Sequence, residues 1–301
     1  MSAAKLSPDR VDVSDSQLKA FQQCMRKWAY NKILGLDAEE DKRAMVYGDG
    51  LHNGLEVMGK GGALADMIAA MEKTYSEPEK WKHLVPEEDF ALGRAHLTGF
   101  VTHFWPVWSR QWQLREAEQW FEYQPVPWVN IRGKKDNTSV SITTGGFGIF
   151  DYKASSTQYS NTLKQTLEWN VQLALYALDH RRKTGQWPDA VGLIFLMKSS
   201  KKDVRDKIKQ LREDPGMYQT AIQTVTPRFA AFAIDMEKAY CAQGWLMLSY
   251  IRDYLERGPV AMDLIPPNYD SCQGWTDKCG FSSGCHAGCP AHRSLPGYPK
   301  G

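Results

Sequence analysis

The stretch "GGFGIFDYKAS", residues 145–155, decides how the chain is read. β-branched and aromatic residues follow two glycines, the pattern of a strand entered from a turn. It ends in Asp151-Tyr152-Lys153. Side chains at i and i+2 of a strand share a face, so Asp151 and Lys153 look the same way. Taken alone, Asp-x-Lys describes a surface ion pair worth little. A second acidic strand end changes the reading. "EYQPVPWVNIRGKKD", residues 122–136, is also extended and finishes at Asp136. If the two strands pair, two carboxylates meet. That is unfavourable unless a cation joins them. Hard oxygens suit Mg²⁺ or Mn²⁺, and the backbone carbonyl of Tyr152 would add a further oxygen. Lys153 would then face a phosphate or an attacking water.

The rest of the chain frames this hairpin. "SDSQLKAFQQCMRKWAYNKIL" (14–34) opens with a serine cap, and Leu18, Phe21, Met25 and Trp28 recur at helical spacing, giving a helix that carries Cys24. "RAMVYGDGLHNGLEVMG" (43–59) is a second helix with His52 and Glu56 on one face. Residues 63–120 read as a helical portion, broken near "SEPEKWKHLVPEED". After the hairpin, "NTLKQTLEWNVQLALYALDHRRKTG" (161–185) returns to helix and stops at Gly185. Gln172 and Tyr176 lie one turn apart on it. "DAVGLIFLMKS" is a short continuous apolar run, as in a buried strand. A long late helix follows, with a break expected at Gly244. The fold class is α/β: a mixed central sheet flanked by helices. The expected organisation is a loose arm at 1–13, then one domain over 14–301, with the sheet core at 121–200 and a Cys-rich tail at 268–290.

Composition narrows the function classes. Charged residues make up 24% of the 301 and the net charge is +2, so a nucleic-acid partner requires a local basic patch. Lys/Arg-rich stretches such as "DHRRKTG" and "MKSSKKDVRDKIK" could supply one. No apolar run reaches membrane-span length and the first residues lack a signal-peptide core, so a cytoplasmic protein with no membrane partner is expected. In a reducing compartment, the crowding of Cys272, Cys279, Cys285 and Cys289 suggests a soft metal, zinc or iron–sulfur. Cys241, on an apolar helix, reads as a core residue.

Taken in order, "SQLKAFQQCMRKW", "GDGLH", "GKKD", "DYK" and "QLALY" resemble the RecB-like branch of the PD-(D/E)xK nuclease superfamily, over about residues 14–290. The resemblance implies a restriction-endonuclease-like core and a metal-dependent DNA nuclease, an exonuclease more than an endonuclease. By position, His52, Asp136 and Asp151 would hold Mg or Mn with the Tyr152 carbonyl, and Lys153 would position or activate the water. Gln172 and Tyr176 would support the site and touch the DNA backbone. Lys135 stands where the superfamily name has proline. Iron–sulfur members of the family imply a 4Fe-4S cluster on Cys24, Cys272, Cys279 and Cys285, stapling the chain ends, with zinc as the alternative. Relatives work beside separate helicases, recombinases or integrases. The competing readings are a catalytically degenerate DNA-binding protein and a zinc-stapled scaffold.

Overall fold

The computed structural model describes residues 6–35, 43–77, 85–258, 261 and 265. The chain divides into two compact units. The smaller comprises 1–41, 122–133 and 235–301, and the larger 42–121 and 134–234.

The larger unit is built on a mixed sheet. β2 (Trp112–Val126) pairs with β3 (Val129–Ser141). β4 (Phe147–Ser155) runs antiparallel to β3 and parallel to β5 (Ala190–Met197), and β6 (Tyr218–Thr224) closes the edge antiparallel to β5. All eight residues of β5 are buried, as its unbroken apolar run requires of a central strand. α3 (Arg43–Gly59) packs on β4, and α4 (Leu64–Tyr75) packs on α3. α5 (Glu87–Gly99) continues through a π turn, Phe100–Phe104, to Trp108. α6 (Thr157–Gln165) and α7 (Val171–Thr184) make the crossover from β4 to β5, and α7 packs on both strands. α7 is capped by the Asn170 side chain and ends at Gly185, whose φ of +78° favours glycine. α8 (Val204–Glu213) is mostly exposed.

In the smaller unit β1 (Val11–Val13) lies parallel to β3 through Val11↔Val129 and Val13↔Ile131. Residues 11–13 are therefore a strand rather than part of a loose arm: Val11 and Val13 share one face and are both buried. α1 (Asp15–Gln23) starts at the Ser14 cap. The helix expected through Cys24 is two helices. Cys24 is extended (φ −159°, ψ 110°), and its sulfur accepts from the Lys27 N–H to start α2 (Met25–Lys32). α9 (Pro227–Arg257) runs 31 residues without a break at Gly244. A Cβ there would sit 2.4 Å from a Val129 methyl, so the glycine serves close packing on β3.

Two further expectations change. The helical portion ends at Trp108, and 112–120 is strand, so the sheet is wider than 121–200. Cys241 is half-buried rather than core. The glycines of "GGFG" serve the turn and the packing. Gly145 takes φ +71° in the β3–β4 turn, and a Cβ on Gly148 would meet the Phe150 and Trp112 rings at 2.7 Å. Cys272, Cys279, Cys285 and Cys289 lie outside the described residues.

Candidate active site

The site forms where the β3–β4 ladder ends. Its register stops at Asn137↔Phe150; carried one residue on, it sets Asp136 opposite Asp151. There the strands exchange a side chain for backbone: the Tyr152 N–H donates to Asp136 Oδ2 at 2.8 Å. The N–H and C=O of a strand residue point to the same edge, so the Tyr152 carbonyl opens toward Asp136 as well.

α3 brings the third group. Its residues His52, Glu56 and Gly59 lie along one stripe, and a Cβ on Gly59 would strike that of Ala117 on β2 at 2.2 Å. This close approach carries His52 to the carboxylates. His52 Nδ1 is 3.3 Å from Asp136 Oδ2 and 3.6 Å from Glu118 Oε1. One ligand atom each from His52, Glu118 and Asp136 lies within 4.8 Å of the others.

Glu118 is the group the sequence reading missed. It adopts φ +56°, the one positive φ on a non-glycine residue among the described residues. The left-handed conformation is disfavoured for a side chain and clusters at functional sites. It also shifts the alternation of β2, so that Glu118 and Phe121, three apart, are both buried. "REAEQWFEY" holds Glu116, Glu118 and Glu122, and only the tertiary fold selects among them.

Lys153 completes the floor. Its ammonium lies 2.5 Å from Asp151 Oδ2 and donates to Gln172 Oε1 at 2.9 Å. Gln172 Nε2 donates to the Tyr176 hydroxyl at 2.6 Å, and that hydroxyl donates to the Lys134 carbonyl at 2.5 Å. The Lys134 ammonium reaches Glu118 Oε2 at 2.5 Å and Glu56 Oε2 at 3.2 Å. The groups thus form a ring that returns through Glu118 to His52. Gln172 and Tyr176 lie behind Lys153. Tyr176 is buried, with its hydroxyl on the Lys134 carbonyl of β3. The neighbour Lys135 points to the opposite face, where it is buried in an ion pair with Asp179 at 2.5 Å.

The electrostatics are those of a site short of positive charge. Burial, then the Asp136 charge, pushes Asp151 up to about 7 against the pull of Lys153. Burial also works against Asp136, but His52, Lys153 and the Tyr152 N–H outweigh it and hold that carboxyl below its usual range. Burial opposes the His52 charge, and Asp136 and Glu118 overcome it, raising the imidazole well above its ordinary value. Asp151 Oδ1 and Glu118 Oε1 are buried with no hydrogen-bond partner. Orphaned carboxylate oxygens beside an imidazole fit a divalent cation: such atoms are costly to bury without a positive partner.

A mixed sheet whose inner strands part at two facing aspartates, with a lysine two residues beyond the second, defines a restriction-endonuclease-like core. The chain belongs to the PD-(D/E)XK nuclease superfamily, whose family model matches residues 12–286. It is a nuclease. No curated protein matches it. Among crystal structures it is similar to one from Eubacterium rectale described as "Putative exonuclease", at 12% identity and a TM-score of 0.47, over 98% of this chain and 91% of that one. Among the described residues no helix is long and apolar enough to cross a membrane.

Proposed function

We propose that the protein is a Mg²⁺- or Mn²⁺-dependent deoxyribonuclease that works from DNA ends. The observation that carries this reading is the pair Asp136 and Asp151, facing each other with two orphaned carboxylate oxygens nearby and Lys153 at hydrogen-bond distance. Asp136, Asp151, His52 and Glu118 would hold the cation, with the Tyr152 carbonyl beside them. Bound there, a divalent ion supplies Lewis acidity to a scissile phosphate. Lys153, aimed by Asp151 and Gln172, places an ammonium where charge builds on the phosphate, and Tyr176 fixes Gln172 in turn. His52 and Asp151 must shed protons to accept a cation, so loading releases protons.

The test is hydrolysis of linear and circular DNA, single- and double-stranded, in Mg²⁺ or Mn²⁺. Wild type should cut linear DNA and spare circles, and Lys153→Ala should lose at least about a hundredfold in rate, in keeping with a lost charge stabiliser. Cutting of circles would remove the end-dependence; no cutting of any substrate would remove the enzyme reading.

We infer further that Cys24, Cys272, Cys279 and Cys285 hold a 4Fe-4S cluster. Two features support this. Cys24 is buried at the break between α1 and α2. The Arg26 guanidinium donates to the Ile265 carbonyl at 2.8 Å, which fastens the chain two residues from Cys24 and seven before Cys272. Seven residues span up to ~25 Å, enough to return to Cys24. Protein purified without oxygen should be brown and contain iron. A colourless, zinc-containing preparation would replace the cluster with zinc.

A further inference from the structure

We propose that Trp120 is a stacking platform for an unpaired nucleobase, and that it makes single-stranded DNA the preferred substrate; this rests on the nuclease reading above. Trp120 lies on β2, two residues past Glu118, and is 70% exposed, more than any other large apolar side chain among the described residues. The Lys134 ammonium is 6.0 Å from its ring centroid, and the same ammonium is 2.5 Å from Glu118 Oε2. Two contacts therefore join the open indole face to the carboxylates of the site. That separation is of the order of one nucleotide, from base to phosphate.

The chemistry of the rim selects the occupant. An exposed indole offers a large, flat apolar face to a ligand. Beside it stands the Lys134 ammonium, which has a third N–H for a phosphate beyond those turned to Glu118 and Glu56, so an aromatic face and a backbone contact meet in one place. That combination is how proteins hold single strands without reading sequence: every base offers a π-face, and a charged group follows the phosphates. Bases inside a duplex have both faces covered, so away from a duplex end only an unpaired nucleotide can lie on Trp120. The structure carries a contrast. Trp245 on α9 is 50% exposed, but its partners are Trp128 and Arg252, both outside the catalytic ring.

The experiment measures binding without cleavage. A fluorescently labelled 20-nucleotide oligothymidine and a blunt duplex are titrated in EDTA with wild type, Trp120→Ala, Trp120→Phe and Trp245→Ala, each variant checked by circular dichroism and melting. Trp120→Ala should weaken single-strand binding by about tenfold, within the loss that alanine substitution of a stacked aromatic causes. Trp120→Phe should restore it to within about threefold, and Trp245→Ala should match wild type. Unchanged single-strand affinity in Trp120→Ala would overturn the proposal. So would an equal loss on the blunt duplex, or wild type that binds no single strand. If wild type binds as expected yet cuts nothing in Mg²⁺ or Mn²⁺, the enzyme reading falls while the stacking result stands.

Discussion

Replacing Asp151 with asparagine should stabilise the metal-free protein while abolishing its activity. Asp151 is buried, and its carboxyl is lifted from 3.8 to about 7. A folded-state rise of that size costs about 4 kcal/mol when the group is ionised, at ~1.4 kcal/mol for each tenfold change in proton affinity. The sign follows from proton binding. Below about pH 4 the carboxyl is protonated in folded and unfolded chains alike. Between about pH 4 and pH 7 the folded protein keeps a proton that the unfolded chain has lost, so stability falls as pH rises. Above about 7 the full cost is present. Asparagine never ionises, so Asp151→Asn escapes the penalty, less whatever the lost contact with Lys153 gave back. Without metal at pH 8 the variant should melt about 4–8 °C above wild type, and the gap should close near pH 4. Mn²⁺ should narrow the gap, since only wild type gains binding energy, about 2.7 kcal/mol at a hundredfold excess over Kd. Differential scanning fluorimetry across pH, with EDTA or Mn²⁺, reads all of this. Metal-free melting curves that run parallel from pH 4 to 8 would refute the reasoning.

Two further outcomes concern the support around the site. Lys135→Met should destabilise the protein by about 3–5 kcal/mol in chemical denaturation, because Asp179 would be left buried with only the more exposed Lys183, at 3.0 Å, to answer it; the double variant Lys135→Met/Asp179→Leu should recover much of that loss. His96 is fully buried, its Nδ1 taking the Tyr47 hydroxyl at 2.7 Å and its Nε2 facing the Met197 carbonyl at 2.9 Å, and burial pushes its pKa down to about 4. The unfolded chain binds that proton more readily, so stability should fall by up to about 3 kcal/mol as pH drops from about 6.5 to 4, visible as a loss of urea midpoint that His96→Gln removes.

The sheet was legible because its inner strands are chemically plain. "AVGLIFLM" is apolar at every position, and "FGIFDYKAS" holds a polar pair only at its end. Asp136, Asp151, Lys153, Gln172 and Tyr176 converge because strand and helix periods already put them on facing surfaces. β2 was illegible for a matching reason. Its alternation is interrupted at the left-handed Glu118, so the period of two that marks a strand is lost where it matters most. The two lysines of "GKKD" look alike in sequence, yet adjacent positions on β3 send Lys134 to the site and Lys135 to a buried aspartate. β6, "YQTAIQT", alternates with polar residues on an edge and carries too little apolar signal to stand out. The split at Cys24 depends on a sulfur competing for a backbone N–H, which helical periodicity does not register.

The end of the β3–β4 ladder has a spectroscopic consequence. Along the strand ladders an amide proton bonds to a neutral carbonyl and is indifferent to what the site holds. The Tyr152 amide bonds to the Asp136 carboxylate, so its proton resonance and its exchange with solvent follow the charge on that oxygen. A single backbone signal therefore reports, without a label or a substrate, when a cation has taken its place between the strands.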